Sequence, residues 1–180
     1  MNSFIINTER LGLRRWLDSD LKPFSYLNRD PEVMKYYPKT LSDLETLEMV
    51  RRIKHHFEKN DFGLFAVESK GTGEFIGYTG FLIPTFQSFF TPCVEIGWKF
   101  KKECWGRGFA TEAANACLNY GFETLKFEKI VSFTSALNIN SEKVMKRIGM
   151  KYVTDFDHPQ IEINSPLCRH VLYQIDNGKV

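Results

Sequence analysis

The stretch that decides the fold is Trp98-Lys99-Phe100-Lys101-Lys102-Glu103-Cys104-Trp105-Gly106-Arg107-Gly108-Phe109-Ala110-Thr111-Glu112-Ala113. Its pattern predicts a strand, a Gly-x-Gly turn and then an alanine-rich helix. Unpaired N–H groups and the positive end of the helix dipole point out of such a turn, and glycines let an anion approach the backbone. Four cations are expected around the turn: Lys99, Lys101, Lys102 and Arg107. The segment therefore predicts a site for a diphosphate.

The same segment excludes two common phosphate-binding classes. No Gly-Lys-Ser/Thr follows the turn, which excludes a P-loop nucleotide hydrolase. The glycine spacing is not Gly-x-Gly-x-x-Gly and no early strand–turn–helix unit is present, which disfavours a Rossmann dinucleotide site. A Gly-x-Gly pair alone also suits a plain strand-to-helix connection with solvated cations, so the rest of the chain has to decide.

Length and composition bound the class of protein. The 180 residues predict a single domain over 1–180, because a typical domain has roughly 150 residues. A net charge of +2 is too small for coating a polyanion and disfavours a nucleic-acid binder. The four cysteines form no close pair, a pattern that indicates neither zinc nor a disulfide framework and fits a reducing cytoplasm. Aromatic residues make up 14% of the chain, which predicts a folded protein.

Neither export nor a membrane span is expected. Residues 1–15 contain no signal-peptide core, since charges begin soon after a short apolar run. Residues 75–94 carry no charge and are long enough for a membrane helix, but two prolines and two glycines interrupt them. We therefore predict two strands joined by an aromatic loop there, in a cytoplasmic protein without membrane contact.

Hydrophobic periodicity predicts an α/β (α+β) domain. Helices are predicted from Asp18 or Ser19 to 28, then over 42–60, 110–122 and 141–148. Seven strands are predicted, over 8–14, 62–68, 74–83, 93–100, 129–135, 151–156 and 169–175. Helix-flanked strands in this order indicate a mixed, mostly antiparallel twisted sheet.

Three segments resemble one family. Residues 105–113 resemble the acetyl-CoA-binding motif of the GNAT N-acetyltransferase superfamily, Gln/Arg-x-x-Gly-x-Gly/Ala. A Trp in place of the leading residue is similar to the branch of ribosomal-protein N-terminal (alanine) acetyltransferases. Residues 8–14 are similar to that branch's opening strand, and 138–150 to its Asn-x-x-Ser…Glu-Lys-x-Gly-Phe helix. The matches occur in order over nearly the whole chain.

The resemblance implies a GNAT-type sheet with splayed central strands and acetyl-CoA as co-substrate. The strand 94–100 would diverge from 129–135, and the pantetheine arm would lie in the gap as a substitute strand. Backbone groups of Trp98 and Phe100 would bind the arm, and the Asn138 side chain would reach it. The pyrophosphate would be held by backbone N–H groups of the turn and helix start: Gly106, Arg107, Gly108, Phe109, Ala110 and Thr111.

Direct attack of an amine on a thioester needs a proton acceptor, a backbone donor for the thioester oxygen and an acid for the thiolate, but no metal. Glu95 is the preferred base or water relay, since its apolar neighbours should raise its pKa. An outward strand carboxylate paired with a lysine is the alternative. Phe133 stands where part of the superfamily has a glutamate base.

The acid also departs from the commonest pattern. Many members use a tyrosine at the position of Met145, which has no proton to donate. As in the ribosomal-protein branch, Ser141 is then the candidate acid. Its alternative role is structural, because a serine here can cap the helix with Glu142 or bond to Asn138.

Two features concern the acceptor. Asp157 and His158 are candidates for lining the acceptor cleft, although a histidine before a proline is also a common turn residue. The aromatic loop 86–90 is too apolar to be left in water. It covers the acceptor, packs on the first helices or meets a second subunit in a homodimer; the sequence does not choose between these.

The sequence thus predicts an acetyl-CoA-dependent N-acetyltransferase. Its acceptor would be a primary amine, either a protein N-terminal α-amino group or a small molecule. The alternative is a catalytically inactive acyl-CoA-binding regulatory module. RNA binding is disfavoured by the near-neutral charge and by the lack of an aromatic–basic strand motif.

Overall fold

The computed structural model describes residues 4–178. Residues 1–3 and 179–180, which belong to the predicted domain 1–180, lie outside the described residues, so the expectation for 1–15 falls partly outside them. The described part contains eight strands and four α-helices: β1 (Ile6–Asn7), β2 (Leu11–Arg14), α1 (Leu21–Arg29), α2 (Asp43–Asn60), β3 (Leu64–Ser69), β4 (Glu74–Leu82), β5 (Glu95–Phe100), α3 (Phe109–Glu123), β6 (Lys129–Ser135), α4 (Ile139–Arg147), β7 (Lys151–Asp157) and β8 (Arg169–Asp176).

The strands form one sheet in the order β1-β2-β3-β4-β5-β6-β8-β7. Every neighbouring pair is antiparallel except β5 and β6, which are parallel. Helices α1 and α2 cover one face, where the Phe24 and Tyr78 rings lie 5.8 Å apart. Helices α3 and α4 cover the other face. The predicted mixed, mostly antiparallel sheet flanked by helices is confirmed.

The sheet has one strand more than the seven expected. The segment predicted as an edge strand, 8–14, is half of a hairpin, because the chain reverses over 8–10 and β1 pairs outside β2. Thr8 fixes this reversal: its N–H donates to the Leu11 carbonyl at 3.0 Å, and its Oγ1 accepts from the Leu11 N–H at 2.9 Å. A two-residue strand has no periodicity to detect, so the sequence pattern missed it.

Helix α2 begins at Asp43, next to the predicted start at Ser42. Ser42 caps it, with Glu45 completing the capping box. The buried stripe consists of Thr46, Val50, Ile53 and Phe57. Leu44, although apolar, is 64% exposed because it lies in the first turn on the solvent side.

Helix α3 lies close to the sheet, and this proximity positions the phosphate turn. Ala113, Ala114, Cys117 and Leu118 are fully buried against the strands. At Gly121 a Cβ atom would come within 2.8 Å of the Phe81 ring and 3.1 Å of Ile130. Small residues on this face therefore let α3 lie close against the sheet.

A buried ion pair joins β2 to the start of α1. Arg14 is 4% exposed and Asp20 2% exposed, and the guanidinium donates to both Asp20 carboxylate oxygens at 2.7 and 3.0 Å. Glu68 accepts a further hydrogen bond from Arg14 at 2.8 Å. The hydrogen bond to Asp20 contributes most to raising the Arg14 pKa. Removing Asp20 would leave the buried Arg14 cation with Glu68 as its remaining carboxylate partner.

We therefore expect Asp20→Ala to lower the free energy of unfolding by about 3 kcal/mol, measured by urea denaturation. Lys54→Ala is the matched control, since Lys54 pairs with Asp18 at the surface and its loss should hardly change the midpoint. A loss below about 1 kcal/mol for Asp20→Ala would show that Arg14 is compensated by its other partners.

Candidate functional site

The central strands β5 and β6 diverge after a single pair. Glu95 pairs with Val131, and the Val131 N–H donates to the Val94 carbonyl at 2.9 Å. Among residues 4–178 no further pair joins the two strands, although β5 continues beside β4 to Phe100. The splay that the resemblance implies is therefore present, and it opens a gap in the middle of the sheet.

Alternate backbone groups of β5 point into this gap. The Val94 carbonyl faces β6, whereas the Lys101 N–H faces β4, where it donates to the Ile76 carbonyl at 2.9 Å. By the alternation of a strand, the backbone groups of Trp98 and Phe100 face the gap. The Phe100 carbonyl already accepts a hydrogen bond from the Trp105 indole at 3.0 Å. The edge of β5 at Trp98 is thus positioned to pair with an extended ligand.

A cavity of about 610 Å³ passes through the gap and is lined from both sides of the sheet. Tyr37 and neighbouring residues of the α1–α2 loop line one end. The start of α3 and the start of α4 line the other end. The candidate site residues found in this lining are Trp98, Phe100, Gly106, Gly108, Phe109, Ala110, Thr111, Asn138 and Ser141.

The glycine turn has the backbone geometry of an anion site. Gly106 and Gly108 adopt φ angles of 72° and 79°, in the left-handed region that favours glycine. Gly108 immediately precedes α3, so the first N–H groups of that helix, from Phe109 on, lack carbonyl partners within the helix. The helix dipole favours an anion at the same point. These features fit the pyrophosphate of a coenzyme A molecule.

A hydrogen-bond network braces this turn against the β1–β2 hairpin. Glu112, in the first turn of α3, accepts from Thr8 Oγ1 at 2.5 Å, from the Arg10 N–H at 3.0 Å and from Arg10 Nε at 2.6 Å. The Arg10 guanidinium also donates to the Arg107 carbonyl at 2.9 Å. Two of the three segments that carry the family resemblance are therefore in direct contact.

The cations are arranged differently from the sequence expectation. Lys99 does not lie at the turn, because its side chain points to the α1–α2 face and is buried there. The guanidinium of Arg107 lies 4.9 Å from the centre of the Phe109 ring and outside the cavity lining. Lys143 and Arg147 of α4 do line the cavity. They lie about one helical turn apart on α4, and this i, i+4 spacing was the signal that could have identified them.

Asn138 and Ser141 take different parts at the start of α4. Asn138 caps the helix, since its Oδ1 accepts from the Ser141 N–H at 3.2 Å and its Nδ2 donates to Thr134 Oγ1 at 3.2 Å. Within residues 4–178 the Ser141 hydroxyl forms no hydrogen bond, and Ser141 lines the cavity. The capping role considered for the serine thus belongs to Asn138, which leaves the hydroxyl available to a ligand.

Glu95 lies where β5 and β6 separate, on the α1–α2 face just beyond the cavity lining. Desolvation raises its pKa to about 8, in agreement with the expectation from its apolar neighbours. Its carboxylate forms no ion pair with any described residue, so the lysine-paired alternative is wrong. Glu95 is half-buried as a whole residue, which leaves it accessible to a bound molecule.

Two tyrosines beside Glu95 escaped the sequence analysis, and Lys99, which was expected at the turn, lies with them. The Tyr78 hydroxyl hydrogen-bonds to the Tyr37 hydroxyl, and burial raises the pKa of Tyr37 to about 12. Lys99 Nζ lies 4.1 Å from the centre of the Tyr37 ring and donates to Asn28 Oδ1 at 3.1 Å. Desolvation lowers the Lys99 pKa to about 7. Tyr37 precedes a proline in a loop between helices, and no motif marks it.

Asp157 and His158 do not line the cavity. The Asp157 carboxylate accepts a hydrogen bond from Arg169 at 3.2 Å. His158 lies among aromatic rings on the α1–α2 face of the sheet, 4.6 Å from Phe86 and 5.9 Å from Phe133 between ring centres. The loop 86–90 does not pack on the first helices, which was one of the three places considered for it. It packs over β6, β7 and β8 instead.

Residues 4–178 also lack the features of a metal site and of a membrane-spanning helix. No group of three or more His, Cys, Asp or Glu side chains in this range could hold a metal ion. Likewise, none of its helices combines the length and the apolar character needed to cross a membrane.

The family comparisons agree with this geometry. The family described as "Acetyltransferase (GNAT) domain" matches residues 10–151. The "Uncharacterized protein YkkB" of Bacillus subtilis is 36% identical over 146 residues, which cover 81% of this chain and 84% of that protein. The "Uncharacterized N-acetyltransferase YnaD" of the same organism is 31% identical, over 81% of this chain and 82% of its own length.

Solved structures show the same fold. The GNAT-family acetyltransferase of Bacillus anthracis superposes with a TM-score of 0.79 at 28% identity, covering 97% of this chain and 99% of that one. Two others show the fold alone. The spermidine N-acetyltransferase of Vibrio cholerae, solved with CoA and spermine, has a TM-score of 0.76 at 22% identity, covering 96% of this chain and 98% of that one. The ribosomal-protein-S5-alanine acetyltransferase of Vibrio fischeri has a TM-score of 0.76 at 17% identity, covering 96% of each chain.

The splayed sheet and the glycine turn at its gap are the features that the resemblance to GNAT acetyltransferases implies. The chain belongs to the GNAT acetyltransferase family and is an N-acetyltransferase. The comparisons do not single out the ribosomal-protein branch, because structures named for different acceptors superpose equally well.

The phosphate turn can be tested with a single methyl group. We expect Gly108→Ala to raise the dissociation constant of CoA at least about tenfold by calorimetry, because a left-handed alanine is strained by roughly 1–2 kcal/mol and distorts the turn. The added Cβ would also lie 3.5 Å from the Arg10 guanidinium.

Gly73→Ala is the matched control for this variant. Gly73 has a φ of 69° in the exposed β3–β4 turn, with nothing within 4 Å of its added Cβ, so the same strain arises outside the cavity lining. CoA should bind to Gly73→Ala as to the wild type. Equal affinities for Gly108→Ala and wild type would remove the turn from the binding site.

Proposed function

We propose that this chain transfers the acetyl group of acetyl-CoA to a primary amine by direct attack of the amine on the thioester. The observation that carries the proposal is the gap after the Glu95–Val131 pair, with a phosphate turn at one end and a desolvated carboxyl group beside it. The gap supplies an unpaired strand edge of the kind that an extended pantetheine arm can use.

The cofactor would be bound mainly by backbone groups. The gap-facing groups of Trp98 and Phe100 bind the arm, and the turn from Gly106 to Thr111 binds the pyrophosphate. Asn138 keeps one amide hydrogen for the arm after capping α4. Lys143 and Arg147 place two further cations at the same end of the cavity.

The proton transfers follow from the two candidate catalytic groups. Acetyl-CoA supplies the acetyl group as a thioester. Glu95 accepts a proton from the acceptor ammonium, directly or through water, so that the nitrogen can form its bond to the carbonyl carbon. As the carbon–sulfur bond breaks, the Ser141 hydroxyl donates a proton to the departing thiolate, and the second proton that the nitrogen loses on becoming an amide returns to Ser141 directly or through water. A backbone N–H facing the gap stabilises the charge on the thioester oxygen.

Turnover on an amine panel tests the proposal. Release of the CoA thiol should be measured with acetyl-CoA and small monoamines, a polyamine and peptides with free N-termini. We expect acetylation of at least one of these, confirmed by a mass increase of the acceptor. CoA binding without turnover on any amine would favour the inactive acyl-CoA-binding module, which no comparison supports.

The role of Glu95 predicts a pH dependence. A carboxyl group with a pKa of about 8 is increasingly ionised up to that pH, so the wild-type kcat/KM for an alkylamine should rise with a slope of one and level off near pH 8. We expect Glu95→Gln to lower kcat/KM roughly 100-fold at pH 7.5. Its profile should keep rising above pH 8, because only free amine can then react.

Glu123→Gln, an exposed carboxylate at the end of α3, is the control and should keep the wild-type profile. Desolvation lowers the Lys99 pKa to about 7, and ionisation of Lys99 would change the pH profiles of wild type and Glu95→Gln alike. A levelling-off near pH 8 that persists in Glu95→Gln would assign that ionisation to another group.

A further inference from the structure

The two central strands begin to diverge beside the cavity, after the pair of Glu95 with Val131. Glu95 and Val131 pair in parallel register, so their side chains share the α1–α2 face. Two residues further along each strand, Gly97 and Phe133 lie on the same face, on either side of the opening gap. The base proposed above therefore lies at the closed end of a slot whose two sides are a glycine and an aromatic ring.

The space above Gly97 is open. A Cβ atom added at Gly97 would find only the Glu95 Oε1 atom within 4 Å, at 3.9 Å. The lack of a side chain at this position leaves room for a small group next to the carboxyl. An amino group placed there is within reach of the Glu95 proton acceptor.

Aromatic side chains continue from the slot in one direction. An aromatic wall is formed by six residues: Phe86, Phe90, Phe133, Phe156, His158 and His170. Its rings contact one another, with centres 5.0 Å apart for Phe90 and Phe156 and 4.9 Å for the two histidines. Phe86, Phe90, Phe133 and His158 remain partly exposed. The wall therefore offers apolar surface to a molecule whose amino group lies over Gly97.

The wall carries no charge at neutral pH. Burial lowers the pKa of His158 to about 4 and also lowers that of His170, so both rings are neutral. The carboxylates of Asp155 and Asp157, on the neighbouring strand, form ion pairs with Arg169. The Glu95 carboxyl is thus the group at the slot that can compensate an ammonium.

We propose that the acceptor is a monoamine with an apolar body of about the size of an aromatic ring, which packs on the aromatic wall while its amino group lies over Gly97. The inference rests on the proposed function. A polyamine would place a second ammonium against phenylalanine rings, where no carboxylate compensates its desolvation and the attraction of the ring faces offsets that cost only in part. An apolar body gains from leaving water there.

An acceptor series tests the inference with the full-length enzyme. The kcat/KM values of 2-phenylethylamine, ethylamine and spermidine should be compared at saturating acetyl-CoA. We expect the value for 2-phenylethylamine to exceed each of the others at least tenfold. A higher value for spermidine, or equal values for the two monoamines, would overturn the inference.

A matched pair of variants assigns the preference to the wall. In Phe133→Ala the ratio of kcat/KM for 2-phenylethylamine to kcat/KM for ethylamine should fall at least tenfold. Phe89→Ala is the control, because Phe89 is 70% exposed in the same loop and outside the wall. It should behave as wild type. Phe86→Ala provides a second test at the wall's rim, and an equal loss for both amines in both wall variants would contradict the inference.

Calorimetry separates this inference from the proposed function. Binding of 2-phenylethylamine and spermidine should be titrated into the protein saturated with CoA. If no amine is acetylated but 2-phenylethylamine binds tighter and Phe133→Ala abolishes that preference, the proposed function fails and the binding preference stands. If acetylation occurs and spermidine is both bound and acetylated better, the preference fails and the proposed function stands.

Discussion

The single parallel pair between Glu95 and Val131 is the constraint on which the site depends. One pair is enough to keep the eight strands in one sheet, and the absence of a second pair among the described residues leaves the edge of β5 unsatisfied. In a globular protein such backbone groups require a partner, which is water or a ligand. The cavity, the exposed ends of α3 and α4 and the position of Glu95 all follow from where that pairing stops.

The site places ionisable groups in surroundings that oppose their charge. Glu95 has its pKa raised from 4.5 to about 8 by desolvation, so the folded protein holds a proton that the unfolded chain releases. The contribution of this group to stability is therefore fully present below pH 4.5 and is lost as the pH rises through about 8. Activity that needs the carboxylate increases over the same range in which this contribution declines.

The sequence predicted the layout because periodicity and short motifs are local properties. The strand 129–135 was predicted with its observed ends, and the turn at Gly106 and Gly108 was located by its glycines. Lys99 was misplaced because neighbours in sequence point to opposite faces of a strand, and the pattern did not say which face the lysine took. Tyr37 and the contact between Glu112 and Arg10 depend on residues distant in the chain, which no local pattern reveals.

The bracing of the phosphate turn by the β1–β2 hairpin has a practical consequence. Thr8 and Arg10 hold Glu112 and the Arg107 carbonyl, so the geometry of the turn depends on a hairpin about 100 positions away. A fusion partner or an affinity tag that strained this hairpin would alter cofactor affinity without touching a residue of the cavity. A tag is therefore best attached at the carboxyl end, where β8 ends far from the turn in sequence and on the opposite half of the sheet.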